Sequence, residues 1–227
     1  MQKILGDSRN TFPTFDEVPE VVIERLPIYI RILTSLQDQG NTIVSSKILG
    51  ELLQMSAVKI RKDLNHFGRF GKQGQGYKIE ELRKTLITIL GLDGTWNVAL
   101  IGLGRLGKAI ASYPGFAKEG FRIVALFDTN KSLLGTKIRR ISIQPLDELK
   151  RSVKTRNIKI AIIATPSSQT QNVVNKLIAS GIKCILNYAH SSPKVPSDII
   201  LKPIDPISTL QAMTFHLKNA HLKTNNY

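Results

Sequence analysis

Gly102, Gly104 and Gly107 have the spacing that lets a backbone wrap a diphosphate. The first permits a tight turn, the second a close approach of the chain to a pyrophosphate, the third close packing of helix on strand. Leu103, Arg105 and Leu106 fill the positions between them. An apolar, strand-like run from Asn97 to Ile101 precedes the motif, and a helical pattern follows it. Asp128 stands 21 positions beyond Gly107, where an acid can accept hydrogen bonds from a ribose hydroxyl. A carboxylate there also repels a 2′-phosphate, so the expected ligand is NADH or NAD⁺ and not the phosphorylated dinucleotide. Lys131 reads as a solvated loop residue.

A second set of chemically pointed residues lies between Ser56 and Lys78, with six basic side chains against Asp63 alone. Ser56 caps a helix from Ala57 to Phe67, stopped by Gly68. Its periodicity turns Val58, Ile60, Leu64 and Phe67 toward a core and leaves Lys59, Arg61, Lys62 and Asn65 outward. Cationic and amide groups on such a helix suit phosphates and the purine edges of a major groove. Four glycines between Gly68 and Gly76 then make a hairpin-like wing, with Lys72 and Gln73 at its tip, placed to enter a minor groove. The expected partner is double-stranded DNA.

Other chemistry finds little support. Cys184 is the single cysteine and sits in an apolar run, so it reads as a core residue, with no disulfide and no thiolate metal cluster. The histidines, at 66, 190, 216 and 221, form no ligand pattern. The net charge of +15 suggests a polyanion, but residues 1–94 carry 13 basic and 11 acidic side chains, whereas 95–227 carry 19 and 6. Local clustering is therefore the better guide. No stretch is long and apolar enough for a membrane span or shaped as a signal peptide, and a cytoplasmic setting is expected.

These residues need two frames to hold them. Residues 1–18 read as a flexible arm and 19–92 as a winged helix-turn-helix domain, with helices at 21–39, 45–54, 57–67 and 80–90. Residues 93–204 alternate strands (97–101, 122–127, 159–164, 182–187, a weaker 199–202) with helices (104–112, 145–153, 168–179). That alternation predicts a Rossmann-type, doubly wound parallel sheet, so the fold class is α/β. Residues 205–227 read as a C-terminal dimerisation helix and tail, with an apolar run from Ile207 to Leu217 that needs a surface to cover.

The run Arg61 to Gly68, then Phe70 to Tyr77, Gly102 to Gly107, Tyr113 to Phe116 and Gly181 to Asn187 closely resembles the Rex family of redox-sensing transcriptional repressors, over roughly residues 19–220. The resemblance implies a bacterial homodimer on a palindromic operator of respiratory or fermentative genes, released when NADH binds. It implies that Gly102, Gly104 and Gly107 hold the pyrophosphate and Asp128 the adenine ribose. Thr165, Pro166 and Asn187 would lie along the cofactor. Tyr113 and Asp205 would serve the dimer and nicotinamide region, Arg25 would pair with Asp205 in the DNA-competent state, and the last helix would be exchanged between subunits. Two positions depart from the family's pattern: Pro206 stands where a bulky apolar residue is usual, and His190 where a proline is.

Two alternatives stay open at this level. One is an NAD-dependent dehydrogenase or a CoA-binding Rossmann enzyme, against which only 40 residues follow Asn187. The other is a regulator that has lost cofactor control.

Overall fold

The computed structural model describes residues 18–68, 70 and 75–224. Of the sequence-read arm only Val18 falls within them, and it is buried. Lys72 and Gln73 lie outside the described residues. Two compact units divide after Gly94.

The first unit begins with α1 (Glu20–Ile23) and α2 (Leu26–Asp38) in place of the single helix read over 21–39. Pro27 is the reason. It has no N–H to give and its ring would meet the carbonyl one turn back, so the helix stops and restarts with proline in its first turn. A short strand β1 (Ile43–Val44) follows, then α3 (Ser46–Leu53) and α4 (Ala57–Asn65). Ser45 caps α3 by accepting from the Ile48 N–H, and Ser56 caps α4 by accepting from the Lys59 N–H. Between the helices Gln54 adopts the left-handed conformation (φ 52°). Gly50 is needed there, because a Cβ on it would lie 2.5 Å from the Met55 carbonyl oxygen. Strand β2 (Tyr77–Lys78) pairs antiparallel with β1, and α5 (Ile79–Ile89) closes the unit over a core including Leu26, Leu33, Leu49, Ile60, Leu64 and Leu86.

On α4, Val58 lies opposite to expectation, and an acid takes a place in the interior. Val58 is 52% exposed, while Asp63 is 4% exposed. With Ile60 and Leu64 facing the core, Val58, two positions before Ile60, falls on the far side of the helix and Asp63 on the near side. Asp63 is buried because it is paired. Its carboxylate accepts from Arg25 Nε and Nη2, both at 2.6 Å, and from the Tyr29 hydroxyl at 2.5 Å. The hydrogen bond to Asp63 holds the Arg25 guanidinium above its ordinary range, and burial followed by the same carboxylate pushes the Tyr29 phenol up.

The second unit is built on β3 (Trp96–Ile101), β4 (Phe121–Asp128), β5 (Lys137–Ile138), β6 (Ile141–Pro145), β7 (Ile158–Ile163), β8 (Cys184–Asn187) and β9 (Ile200–Pro203). Their order is β5-β6-β4-β3-β7-β8-β9, parallel throughout except for the β5–β6 edge. From β6 to β9 this is the dinucleotide-fold order, reversing direction between β3 and β7. The helices are α6 (Arg105–Ser112), α7 (Gly115–Lys118), α8 (Leu149–Thr155), α9 (Ser167–Ala179) and α10 (Pro206–Thr224). Val98 and Leu100 face one layer with Ile110 of α6, whereas Ala99 and Ile101 face the other with α8 and α9.

Strands β5 and β6 and helix α7 were not read from sequence. The helix expected over 145–153 is a 3-10 turn at Leu146–Glu148 followed by α8. Cys184 is half-buried in β8, and burial pushes its thiol up, as suits a packing residue. Pro206 opens α10. On that helix Ile207, Leu210, Met213, Phe215 and Leu217 are 54%, 60%, 55%, 67% and 63% exposed.

Removing the acceptor at Asp63 leaves a cation and a phenol without a partner in the first unit's interior. Asp63→Ala is expected to cost about 3–5 kcal/mol, read as a lowered urea midpoint for the helices. An unchanged midpoint would show that the triad contributes nothing to holding α4.

Candidate functional site

The glycine loop leaves β3 at the switch point, where the strand order opens a crevice. Gly102 has φ +93°, and a Cβ there would stand 2.7 Å from the Ala164 carbonyl oxygen and 2.8 Å from Thr165 Cγ2. Only hydrogen fits between β3 and the end of β7. Gly107 is tighter: its Cβ would come to 1.8 Å from the Gly102 carbonyl oxygen, so α6 can lie against the strand only with glycine there. At Gly104 a Cβ would meet nothing within 4 Å. No protein neighbour requires that glycine, and the space it keeps clear belongs to the crevice.

Helix α6 starts at this loop with Gly104 as its N-cap and no capping side chain. The first-turn N–H groups of a helix have no partner inside it and lie at the positive end of the helix dipole, which makes this end suited to an anion. The crevice has a volume of about 450 Å³ and is lined by Gly102, Gly104, Arg105, Leu106, Asp128, Thr165 and Pro166 from the sequence reading. Thr129, Asn130, Leu133 and Gln169, which that reading missed, line it too.

Asp128 ends β4 with its carboxylate already oriented. One oxygen accepts from the Leu103 N–H at 2.6 Å and the other from the Asn130 N–H at 2.7 Å. The acid thus ties the glycine loop to the next strand while still lining the crevice. Leu103 itself is fully buried, so its share in the site is this one N–H. Thr165 Oγ1 is buried and has no hydrogen-bond partner among the described residues. A buried hydroxyl without a partner is uncommon in a finished interior, and at a crevice wall it is a place for a ligand.

A dinucleotide fits these features: space at Gly104, a helix terminus suited to an anion, a fixed carboxylate at the end of β4 and an unsatisfied hydroxyl at Thr165. Among the described residues no group of His, Cys, Asp and Glu could hold a metal ion.

Other sequence-read residues are engaged differently. Asn187 is fully buried, its Nδ2 donating to the Ser191 carbonyl and its Oδ1 accepting from the Ala189 N–H, which shapes the loop after β8. Asp205 caps α10, accepting from the Ile207 and Ser208 N–H groups, and lies 3.4 Å from His190 Nδ1. Tyr113 is 62% exposed and stacks edge-on with Phe116. Arg25, expected to pair with Asp205, is held by Asp63.

In the first unit, α3, the turn and α4 form a helix-turn-helix. Ser56, Lys59, Arg61, Lys62 and Asn65 are all exposed. Arg61 Nη1 donates to Ser46 Oγ at 2.9 Å, which leans its guanidinium toward the start of α3.

Comparison with known proteins places this geometry. The family "CoA binding domain" matches residues 93–191 and the family "Putative DNA-binding protein N-terminus" matches residues 17–65. The redox-sensing transcriptional repressor Rex of Chloroflexus aurantiacus is 48% identical over 202 residues, covering 89% of this chain and 95% of its own. The crystal structure of RSP in complex with beta-NAD+ and operator DNA superposes with a TM-score of 0.85 at 38% identity, covering 92% of this chain and 96% of that one. RSP in complex with beta-NADH superposes at 0.84 and 36% identity, over 95% and 100%.

Gly107 and Gly104 should separate in their effects on folding. Gly107→Ala is expected to destabilise the second unit by about 3 kcal/mol or more through overpacking. Gly104→Ala, at an open helix cap, should cost within about 1 kcal/mol. Thermal unfolding of the two variants checks this, and equal losses would contradict the geometry.

Proposed function

This chain belongs to the Rex family of redox-sensing transcriptional repressors, and on that premise we propose that it represses genes from a palindromic operator and is released when NADH fills the crevice at Gly104. The observation that carries this is the crevice itself: space that no protein neighbour needs, beside a helix terminus and an unsatisfied Thr165, in a chain that also carries a basic helix-turn-helix. The relatives are repressors, and the chain is a regulator and not an enzyme.

In this reading the N–H groups opening α6 and the space at Gly104 receive the diphosphate. Asp128, fixed by Leu103 and Asn130, accepts the adenine ribose hydroxyls and excludes a 2′-phosphate. Thr165 and Pro166 lie along the remainder of the cofactor. Bound here, NAD(H) is a ligand whose charge and ring shape report its redox state. Lys59, Arg61, Lys62 and Asn65 meet DNA phosphates and base edges, with Ser56 fixing the start of their helix.

The switch needs a ligand that distinguishes two dimers. Moving occupancy from 1:99 to 99:1 takes about 5.5 kcal/mol of differential binding. By linkage, operator DNA weakens NADH binding by the same factor. The exposed apolar residues of α10 support a homodimer in which that helix packs on a second copy. Tyr113 and Asp205 would stand at that junction near the nicotinamide. Among the described residues no helix is long and apolar enough to cross a membrane; the location we propose is the cytoplasm.

Operator affinity measured at fixed salt while NADH is titrated should fall by at least tenfold, and NAD⁺ should not reproduce the fall. In Gly104→Ala the concentration of NADH needed should rise tenfold or more with folding intact. An operator complex indifferent to saturating NADH would overturn the sensor reading while leaving DNA binding standing. Separately, Leu210→Glu should shift sedimentation from dimer to monomer; a dimer of undiminished affinity would place the interface elsewhere.

A further inference from the structure

Val58 is the one large apolar side chain on the outward face of α4, and the core does not account for it. It is 52% exposed at the second position of the helix. On a 3.6-residue helix it lies about 160° from the buried Ile60, in the middle of the solvent arc. Arg61 and Lys62 follow it by three and four positions, and Asn65 by seven, so these polar and cationic side chains surround it on that face. Valine is a poor choice for a solvated helix position, since it loses rotamer freedom and gains no burial there. It does suit a surface that becomes covered. The charge around it specifies what covers it: a polyanion whose own surface carries an apolar group between its charges.

We infer that Val58 reads the 5-methyl group of a thymine in the major groove, and is a specificity-determining residue of the operator interface. The inference rests on the DNA-binding function proposed above. Phosphate contacts by Lys59, Arg61 and Lys62 set the position of the helix but carry no sequence information. The thymine methyl is the apolar mark that a base pair presents in the major groove, and a small branched side chain near the start of a recognition helix is the matching surface. A glutamine or asparagine there would seek an adenine edge; valine can only seek a methyl.

The full-length protein first selects its own duplex from a randomised pool in the presence of NAD⁺. Each dT of that duplex is then replaced by dU, one symmetric pair at a time, which removes only the 5-methyl group. For the parent protein, one pair should lower affinity by about fifteenfold, about fourfold for each methyl. In Val58→Ala that position-specific loss should fall below twofold, while the unsubstituted duplex still binds and the helical circular dichroism is unchanged. Tolerance of dU at every position by the parent, or the same loss in Val58→Ala, would overturn the assignment while the operator-binding function stands. Recovery of no duplex would overturn both together.

Discussion

The second unit depends on one close approach, the passage of α6 across the end of β3. The Gly102 carbonyl oxygen leaves no room for any atom beyond hydrogen on Gly107, and the Ala164 carbonyl leaves none on Gly102. These two contacts bring a helix terminus against the strand ends, between β3 and β7. The crevice follows from them. With either glycine enlarged, the helix would stand off from the sheet, and its first turn would no longer face the space beside Asp128 and Thr165.

The first unit has a comparable fixed point of a different kind. Asp63 faces inward from the helix whose outward side carries the basic residues, and Arg25 and Tyr29 close on it from the break between α1 and α2 and from α2 itself. A buried ion pair is a weak source of net stability, because both partners give up water. What it provides is position: the carboxylate has one set of donors, so α4 has one rotational setting. That setting sends Lys59, Arg61, Lys62 and Val58 outward together. Pro27 contributes by ending α1 early, which frees Arg25 to turn toward Asp63.

Much of this arrangement is legible in the residues. The glycine spacing, the acid at Asp128 and the alternation of apolar runs identify the nucleotide fold and its loop. The serine caps and the basic run identify the helix-turn-helix. Boundaries of the main strands fall within about two residues of the pattern. Strands β5 and β6 are not legible, because Ile141 to Pro145 is a short run whose pairing with β4 is made at long range. The setting of α4 is not legible either. Periodicity weighs an aspartate as a surface residue, and the arginine and tyrosine that reverse that weight are 38 and 34 positions away.

Local physics thus determines what each segment is. Three glycines at that spacing admit few backbone paths, a proline stops a helix, and a serine caps one; each effect acts within a turn or two, so the residues alone disclose it. Which of those features make a site is settled by contacts between distant segments. Gly104 is set apart from Gly107 by what stands, or does not stand, within 4 Å of it. Asp128 is oriented because Leu103 and Asn130 hold it, Thr165 Oγ1 is open because no described residue satisfies it, and Val58 faces outward because Asp63 took the inward place. Proximity in space is not encoded in proximity along the chain, and tertiary packing alone supplies it.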